Sequence, residues 1–190
     1  MARKSNRSKI RKVANARPLP RPLRKLPAIH ERAKQFSWLA LAGFIIACEL
    51  AGIIGAVFTT PAIPTWYASL AKPEFTPPSW VFGPAWTMLY ALIGTAAYLV
   101  FRQPDNGNRS SGLRLFLAQM GLNVLWSVVF FGLQSPGTAF AIIAMLWFAI
   151  AATMAYFWRV SKTATALMGP YLAWVTFAAA LNFGVWLLNP

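Results

Sequence analysis

Apolar residues gather into five stretches along the chain, roughly 37–59, 79–101, 113–133, 138–158 and 166–187, separated by short polar or proline-rich breaks. Each is about the ~20 residues that a helix needs to cross a bilayer. The alternation of period two that marks barrel strands is absent. An open sheet cannot satisfy its backbone in lipid, so each stretch is read as a helix. The pattern therefore predicts an all-α integral membrane protein: a five-transmembrane-helix bundle over 36–190, preceded by a basic and disordered tail over 1–35. Between the first two stretches runs WYASLAKPEFTPPSW (66–80), where Pro73, Pro77 and Pro78 prevent either flanking helix from continuing. Its aromatic residues suit a membrane interface or the lid of an apolar pocket.

Polar positions inside the apolar stretches are few, and for that reason informative. Glu49 sits near the middle of the first. Gln119, Asn123 and Ser127 recur every four residues on the third and so share one helix face. Asn182 lies on the fifth, and Thr95 and Thr153 on the second and fourth. A polar stripe on one helix is either a cavity wall or a helix–helix seam. A proton-coupled pump is disfavoured, because no other stretch supplies a second acid. Small residues form a stripe of their own: Gly43, Ala47, Ala51 and Gly55 at four-residue spacing let another backbone approach, within the chain or across a homodimer seam.

Composition sharpens this picture. The chain is 57% hydrophobic and 12% charged, unlike a soluble domain. Its net charge of +14 is concentrated at one end, since twelve of the eighteen Lys and Arg fall in 1–34. Arg102, Arg109 and Arg114 lie in or beside the second connection, and Arg159 and Lys162 lie in the fourth. The first carries Lys72 and the third no cation. The positive-inside rule then places the N-terminus on the cytoplasmic side, with the first loop and the C-terminus outside. A bacterial inner membrane is the preferred setting and an organelle membrane the alternative. The tail reads as an arm held near anionic headgroups, as a transit peptide, or as a protein- or nucleic-acid-binding segment.

Tryptophan is the last pattern. Of nine, Trp38, Trp66, Trp80, Trp158 and Trp186 lie near stretch ends, where an aromatic belt accounts for them. Trp86, Trp126, Trp147 and Trp174 are interior. At 1.5 Å per residue, Trp86 and Trp126 lie about 10 Å below the outer boundary, Trp147 about 14 Å and Trp174 about 20 Å. An indole this deep needs a partner for its N–H, so some should face inward, into a pocket or a tryptophan-rich core. An outward-opening pocket with aromatic walls, a few amides and a stiff lid suits a flat, hydrophobic ligand.

The order WY-x-x-L-x-K-P-x-x-x-P-P-x-W-V-F-G-P-x-W-x-x-L-Y from Trp66 to Tyr90 resembles the tryptophan-rich sensory protein/translocator (TspO/MBR, peripheral benzodiazepine receptor) family. So do LYALIGTAAYLVFR, AQMGLNVLWSVVFFG and PYLAWVTFAAALNFGVW, and the resemblance covers 37–190. It implies a five-helix protein, often dimeric, that binds protoporphyrin IX, haem and other flat hydrophobic ligands such as sterols, with no obligatory cofactor and no metal site. It also implies that Trp86 and Trp174 would serve any light-driven porphyrin breakdown. Gln119, Asn123 and Trp126 would line the cavity, and Trp66, Pro77, Pro78 and Trp80 would shape the lid. Tyr90, Trp147 and Asn182 complete the candidate ligand-binding set. Phe183 stands where sterol-recognising members have Tyr, without a following basic residue, and Ile142 replaces an acid found in many animal members.

Three functions follow as expectations: a membrane receptor, sensor or carrier for tetrapyrroles; a Trp-dependent, light-driven porphyrin-degrading enzyme; or a structural, partner-binding membrane protein. Ordinary haem catalysis is disfavoured because the one histidine, His30, lies in the tail. Cys48, Met88, Met120 and Met145 remain as possible sulfur ligands to an iron. No Ser-His-Asp set or phosphate loop is present. The expected partners are a porphyrin-like small molecule, the bilayer and, on the homodimer reading, a second copy, with nucleic acid disfavoured.

Overall fold

A computed structural model describes residues 35–190; the expectations for the tail concern 1–34 and lie outside the described residues. All regular structure there is helical. Five helices are long and apolar enough to cross a membrane, so the chain is an integral, multi-pass membrane protein. They are α1 (Trp38–Ala62), α2 (Phe82–Phe101), α3 (Asn108–Ser127), α4 (Pro136–Trp158) and α5 (Lys162–Leu188). Around the bundle α2 packs between α1 and α5, α4 between α5 and α3, and α3 returns to α1.

Local chemistry sets the ends. The Ser37 hydroxyl accepts from the Ala40 amide (3.3 Å) at the start of α1, and the Ser37 amide donates to the Tyr98 hydroxyl at 2.7 Å, pinning that start to α2. Pro136 opens α4, where its missing N–H leaves no gap, and the Ser161 hydroxyl caps α5 at the Ala164 amide. Gly107, at φ 73°, turns the chain into α3. The first helix outlasts its expected end near residue 59. It passes through Pro61 and widens into a π-type turn, Ile63–Tyr67, so Trp66 and Tyr67 extend the helix before the irregular loop begins. Likewise α3 begins at Asn108, five residues ahead of the apolar stretch, and ends in a second π-type turn, Val128–Gly132.

In lipid, helices associate through close packing and hydrogen bonds rather than through the hydrophobic effect. The α1–α2 seam shows the first. A Cβ on Gly94 would lie 2.9 Å from Ile45 Cα, so the two backbones touch and no larger residue fits. Towards loop 1 the contact changes character: the Tyr90 ring lies against Gly52, and beyond it the two helices frame a space. The small-residue stripe divides along α1. Gly43 and Ala47 are exposed, and a Cβ on Gly43 would meet nothing. Ala51 packs on the core, and buried Gly55 faces Ser127 of α3.

Candidate functional site

A cavity of about 430 Å³ occupies the loop-1 half of the bundle. Along α1 it is lined by Glu49, Gly52, Ile53, Ala56 and Thr60, which recur at helical spacing and form one face. Facing them on α2 are Phe82, Gly83, Trp86, Thr87 and Tyr90. Trp126 and Phe130 of α3 and its π-type turn close a third side, and Ala178, Leu181 and Asn182 of α5 the fourth. Ile53, Ala56 and Thr60 on one helix, and Gly83 and Thr87 on the next, are exposed as well as lining. The cavity thus opens sideways between α1 and α2. Room comes from Gly52, Gly55, Ala56, Gly83 and Ala178, small residues set among the aromatic walls.

Five of the candidate ligand-binding residues share this wall: Trp80, Trp86, Tyr90, Trp126 and Asn182. Trp86 stacks on Tyr90 with ring centroids 5.4 Å apart and meets the edge of Tyr171 at 6.2 Å. Trp126 donates its indole N–H to Asn182 Oδ1 (2.9 Å), and Asn182 Nδ2 donates to the Pro136 carbonyl at 2.7 Å. One amide therefore fixes the indole and ties α5 to the start of α4.

Gln119 and Asn123 are not brought to the cavity wall. They lie behind Tyr90, in a buried chain of hydrogen bonds across three helices. The Tyr90 hydroxyl donates to Asn123 Oδ1 (2.6 Å), Asn123 Nδ2 donates to the Tyr171 hydroxyl (3.2 Å), and Tyr171 donates to Gln119 Oε1 (2.8 Å). Gln119 and Tyr171 are fully buried, and Gln119 Nε2 has no partner. Of the polar stripe on α3, Ser127 lines the cavity while the two amides hold the seam.

Trp174 and Trp147 also lie off the wall. Trp174 is a turn before Ala178 on α5, edge-on to Phe82 at 5.9 Å, with its N–H buried and unpartnered. Trp147 donates to the Thr176 hydroxyl (2.9 Å) on the flank where α4 meets α5. Trp66 packs edge-on against Phe130 at 5.6 Å, behind the lining rather than in it. Cys48 and Met120 are buried in the core, and Met88 and Met145 are exposed, so none of the four sulfur atoms lines the cavity.

The roof is tied down by contacts that sequence reasoning missed. Tyr67, Ser79 and Trp80 contribute lining, whereas Pro77 and Pro78 shape the loop from behind. Lys72 Nζ donates to the carbonyls of Tyr67 (2.8 Å) and Leu70 (2.8 Å), closing the end of the π-type turn. Asn189 clasps Ala71 from both sides: its Oδ1 accepts from the Ala71 amide (3.0 Å), and its Nδ2 donates to the Ala71 carbonyl (2.9 Å). Asn189 thus latches loop 1 to the end of α5. A single asparagine just past a helix end carries no periodic signal that could have announced it.

Five membrane-spanning helices around an aromatic cavity, beneath a latched loop, define a polytopic membrane protein with a candidate ligand site. The comparisons with known proteins give the family. The TspO/MBR family model matches residues 44–187, and the chain belongs to that family. It is 46% identical to the tryptophan-rich protein TspO of Archaeoglobus fulgidus over 153 residues, which cover 80% of this chain and 97% of that protein. It is 39% identical to the protein CrtK of Rhodobacter capsulatus over 150 residues, 78% of this chain and 92% of that one. Against the human translocator protein the identity is 36% over 151 residues, 78% and 89% of the two chains.

Proposed function

We propose that the chain is a membrane receptor or carrier that takes up tetrapyrroles, protoporphyrin IX or haem, and other flat hydrophobic ligands through its α1–α2 opening. The observation that carries this reading is the aromatic cavity itself. About 430 Å³ falls within the range of small-molecule sites, and Trp86, Trp126, Tyr90 and Phe130 present ring surface to it. An opening on the lipid side suits a ligand that partitions into the bilayer and lets a large macrocycle extend beyond the enclosed volume. Among the described residues no sulfur or imidazole lies on the wall, and the aromatic rings there suit contact with the face of a macrocycle. The relatives named as translocator and tryptophan-rich proteins support the reading at the level of the family.

A titration of purified protein in detergent with protoporphyrin IX, followed by tryptophan fluorescence in the dark, tests it. Saturable quenching is expected, and its loss in Trp86→Phe would be partial, since Trp126 also borders the site. Quenching that rises without saturation would remove the reading.

A second reading, light-driven breakdown of the bound ring, is favoured by one observation: Trp86 borders the cavity and stacks on Tyr90, whose hydroxyl enters the buried hydrogen-bond chain. Under illumination, Trp86→Phe should then slow bleaching while dark binding persists. Equal bleaching rates in the variant and the parent would exclude it.

A further inference from the structure

Among the described residues, the cavity wall holds one carboxyl group and no cation. Glu49 lies eleven residues into α1 from Trp38, about 16 Å along the helix and hence near mid-membrane. The other acids among the described residues, Glu74 and Asp105, belong to loops. A carboxyl at this depth is costly, and such groups ordinarily pair with a partner or mark a site. Among the described residues Glu49 has no hydrogen bond and no ion pair.

Several of the wall's other polar groups are turned away from it. The Tyr90 hydroxyl is directed to Asn123, and Trp126 and Asn182 serve each other. The Thr59 and Thr87 hydroxyls donate to the carbonyls of Gly55 and Gly83 on their own helices. Among the described residues no Lys, Arg or His lines the cavity. Glu49 is thus an unmatched acid in a largely apolar wall, free to meet a complementary ligand atom.

We propose that Glu49 is the specificity-determining residue of the cavity and that it selects apolar ligands bearing an amine over those bearing carboxylates. This rests on the reading that the cavity binds flat hydrophobic molecules. An amine meeting Glu49 forms a net-neutral pair, as ammonium carboxylate or as a hydrogen-bonded acid and base, in surroundings where net charge is expensive. A ligand carboxylate at the same place adds like charge with no counter-ion within the wall. A dicarboxylate ring would therefore sit with its acid groups towards the opening, away from Glu49.

Three porphyrins with the same macrocycle test this: protoporphyrin IX, its neutral dimethyl ester, and a derivative with both propionates converted to amine-terminated amides. Each is titrated by tryptophan quenching against the parent protein, Glu49→Gln and Glu74→Gln, the last an acid on loop 1. Comparing affinity ratios between variants cancels the differing partition of the probes into detergent. The amine probe should gain about ten-fold over the dicarboxylate in the parent relative to Glu49→Gln, equivalent to ~1.4 kcal/mol. Glu74→Gln should keep the parent's ratio. An unchanged ratio in Glu49→Gln overturns the proposal. So does uniform weakening of all three probes there, which marks a change of shape, or an equal collapse in Glu74→Gln, which marks general surface charge. If no probe binds saturably to the parent, the binding reading itself fails, an outcome distinct from these.

Discussion

The Tyr171 hydroxyl is the hinge of the buried hydrogen-bond chain, and Tyr171→Phe removes it while keeping the ring. Two bonds go at once: the one accepted from Asn123 Nδ2 at 3.2 Å and the one donated to Gln119 Oε1 at 2.8 Å. Gln119 is then left with neither end of its amide matched, since Nε2 has no partner to begin with. Hydrogen bonds between membrane helices average ~0.6 kcal/mol and reach ~1.7, so losing two predicts a cost of about 1–3 kcal/mol. Tyr90→Phe removes one bond, at 2.6 Å, and leaves Asn123 still donating to Tyr171. It should cost about half as much. Because Asn123 joins both, the double variant should cost less than the sum of the singles. Equilibrium unfolding in mixed micelles, followed by circular dichroism, measures all three. Ligand affinity should move less than about three-fold in Tyr171→Phe, as the ring edge that supports Trp86 remains. A Tyr171→Phe protein as stable as the parent, or less perturbed than Tyr90→Phe, would refute the assignment of this chain as the strut between α2, α3 and α5.

Asn189→Ala should release loop 1, because both of its bonds to Ala71 and a third to the Val185 carbonyl (2.7 Å) disappear. Faster amide exchange over 68–78, with the helices unchanged, is the expected result, and equal exchange would show that the loop holds itself. Gly94→Leu should force α1 from α2, since even a Cβ would lie 2.9 Å from Ile45 Cα; expression as folded protein should fall steeply, while Gly43→Leu, with open space around it, should be tolerated. In the connection before α3, the Ser110 hydroxyl and the Gly107 amide bond the Asp105 carboxylate, and with help from Arg109 they hold its pKa below the ordinary 3.8. A depressed carboxyl favours the folded turn above its unfolded value. That contribution is lost as pH falls through the folded one, so carbon-detected titration of Asp105 should find a midpoint under 3.8, and one above it would contradict the geometry.

The five spans were legible because lipid imposes a length and an apolar run on any helix that crosses it, and each run was present. Their ends were less so. Pro61 reads as a stop, yet the helix absorbs it by widening into a π-type turn, which depends on packing of Trp66 and Tyr67 against Phe130. The start of α3 carries polar residues, and its signal was turn chemistry: the Asp105 carboxylate accepts from the Ser110 hydroxyl, Asn106 Oδ1 from the Arg109 amide and the Gly107 carbonyl from the Ser111 amide.

For the site, spacing places residues on a common face but does not name what that face meets. Gln119, Asn123 and Ser127 do share a face, yet two of them meet tyrosines and one meets the cavity. Depth along a helix likewise leaves rotation about its axis open, which separates Trp86, on the wall, from Trp147, on a flank and satisfied by Thr176. What the sequence understated was the part played by small residues. Gly55 belongs to a stripe that reads as a packing seam, and it does pack on Ser127, but with Gly52, Ala56, Gly83 and Ala178 it also leaves the space that the indoles enclose. Filling that space in small steps, by one carbon with Gly83→Ala and by two with Ala56→Val, would separate the two roles. Neither residue is buried, so folding should survive while the capacity for a large flat ligand declines.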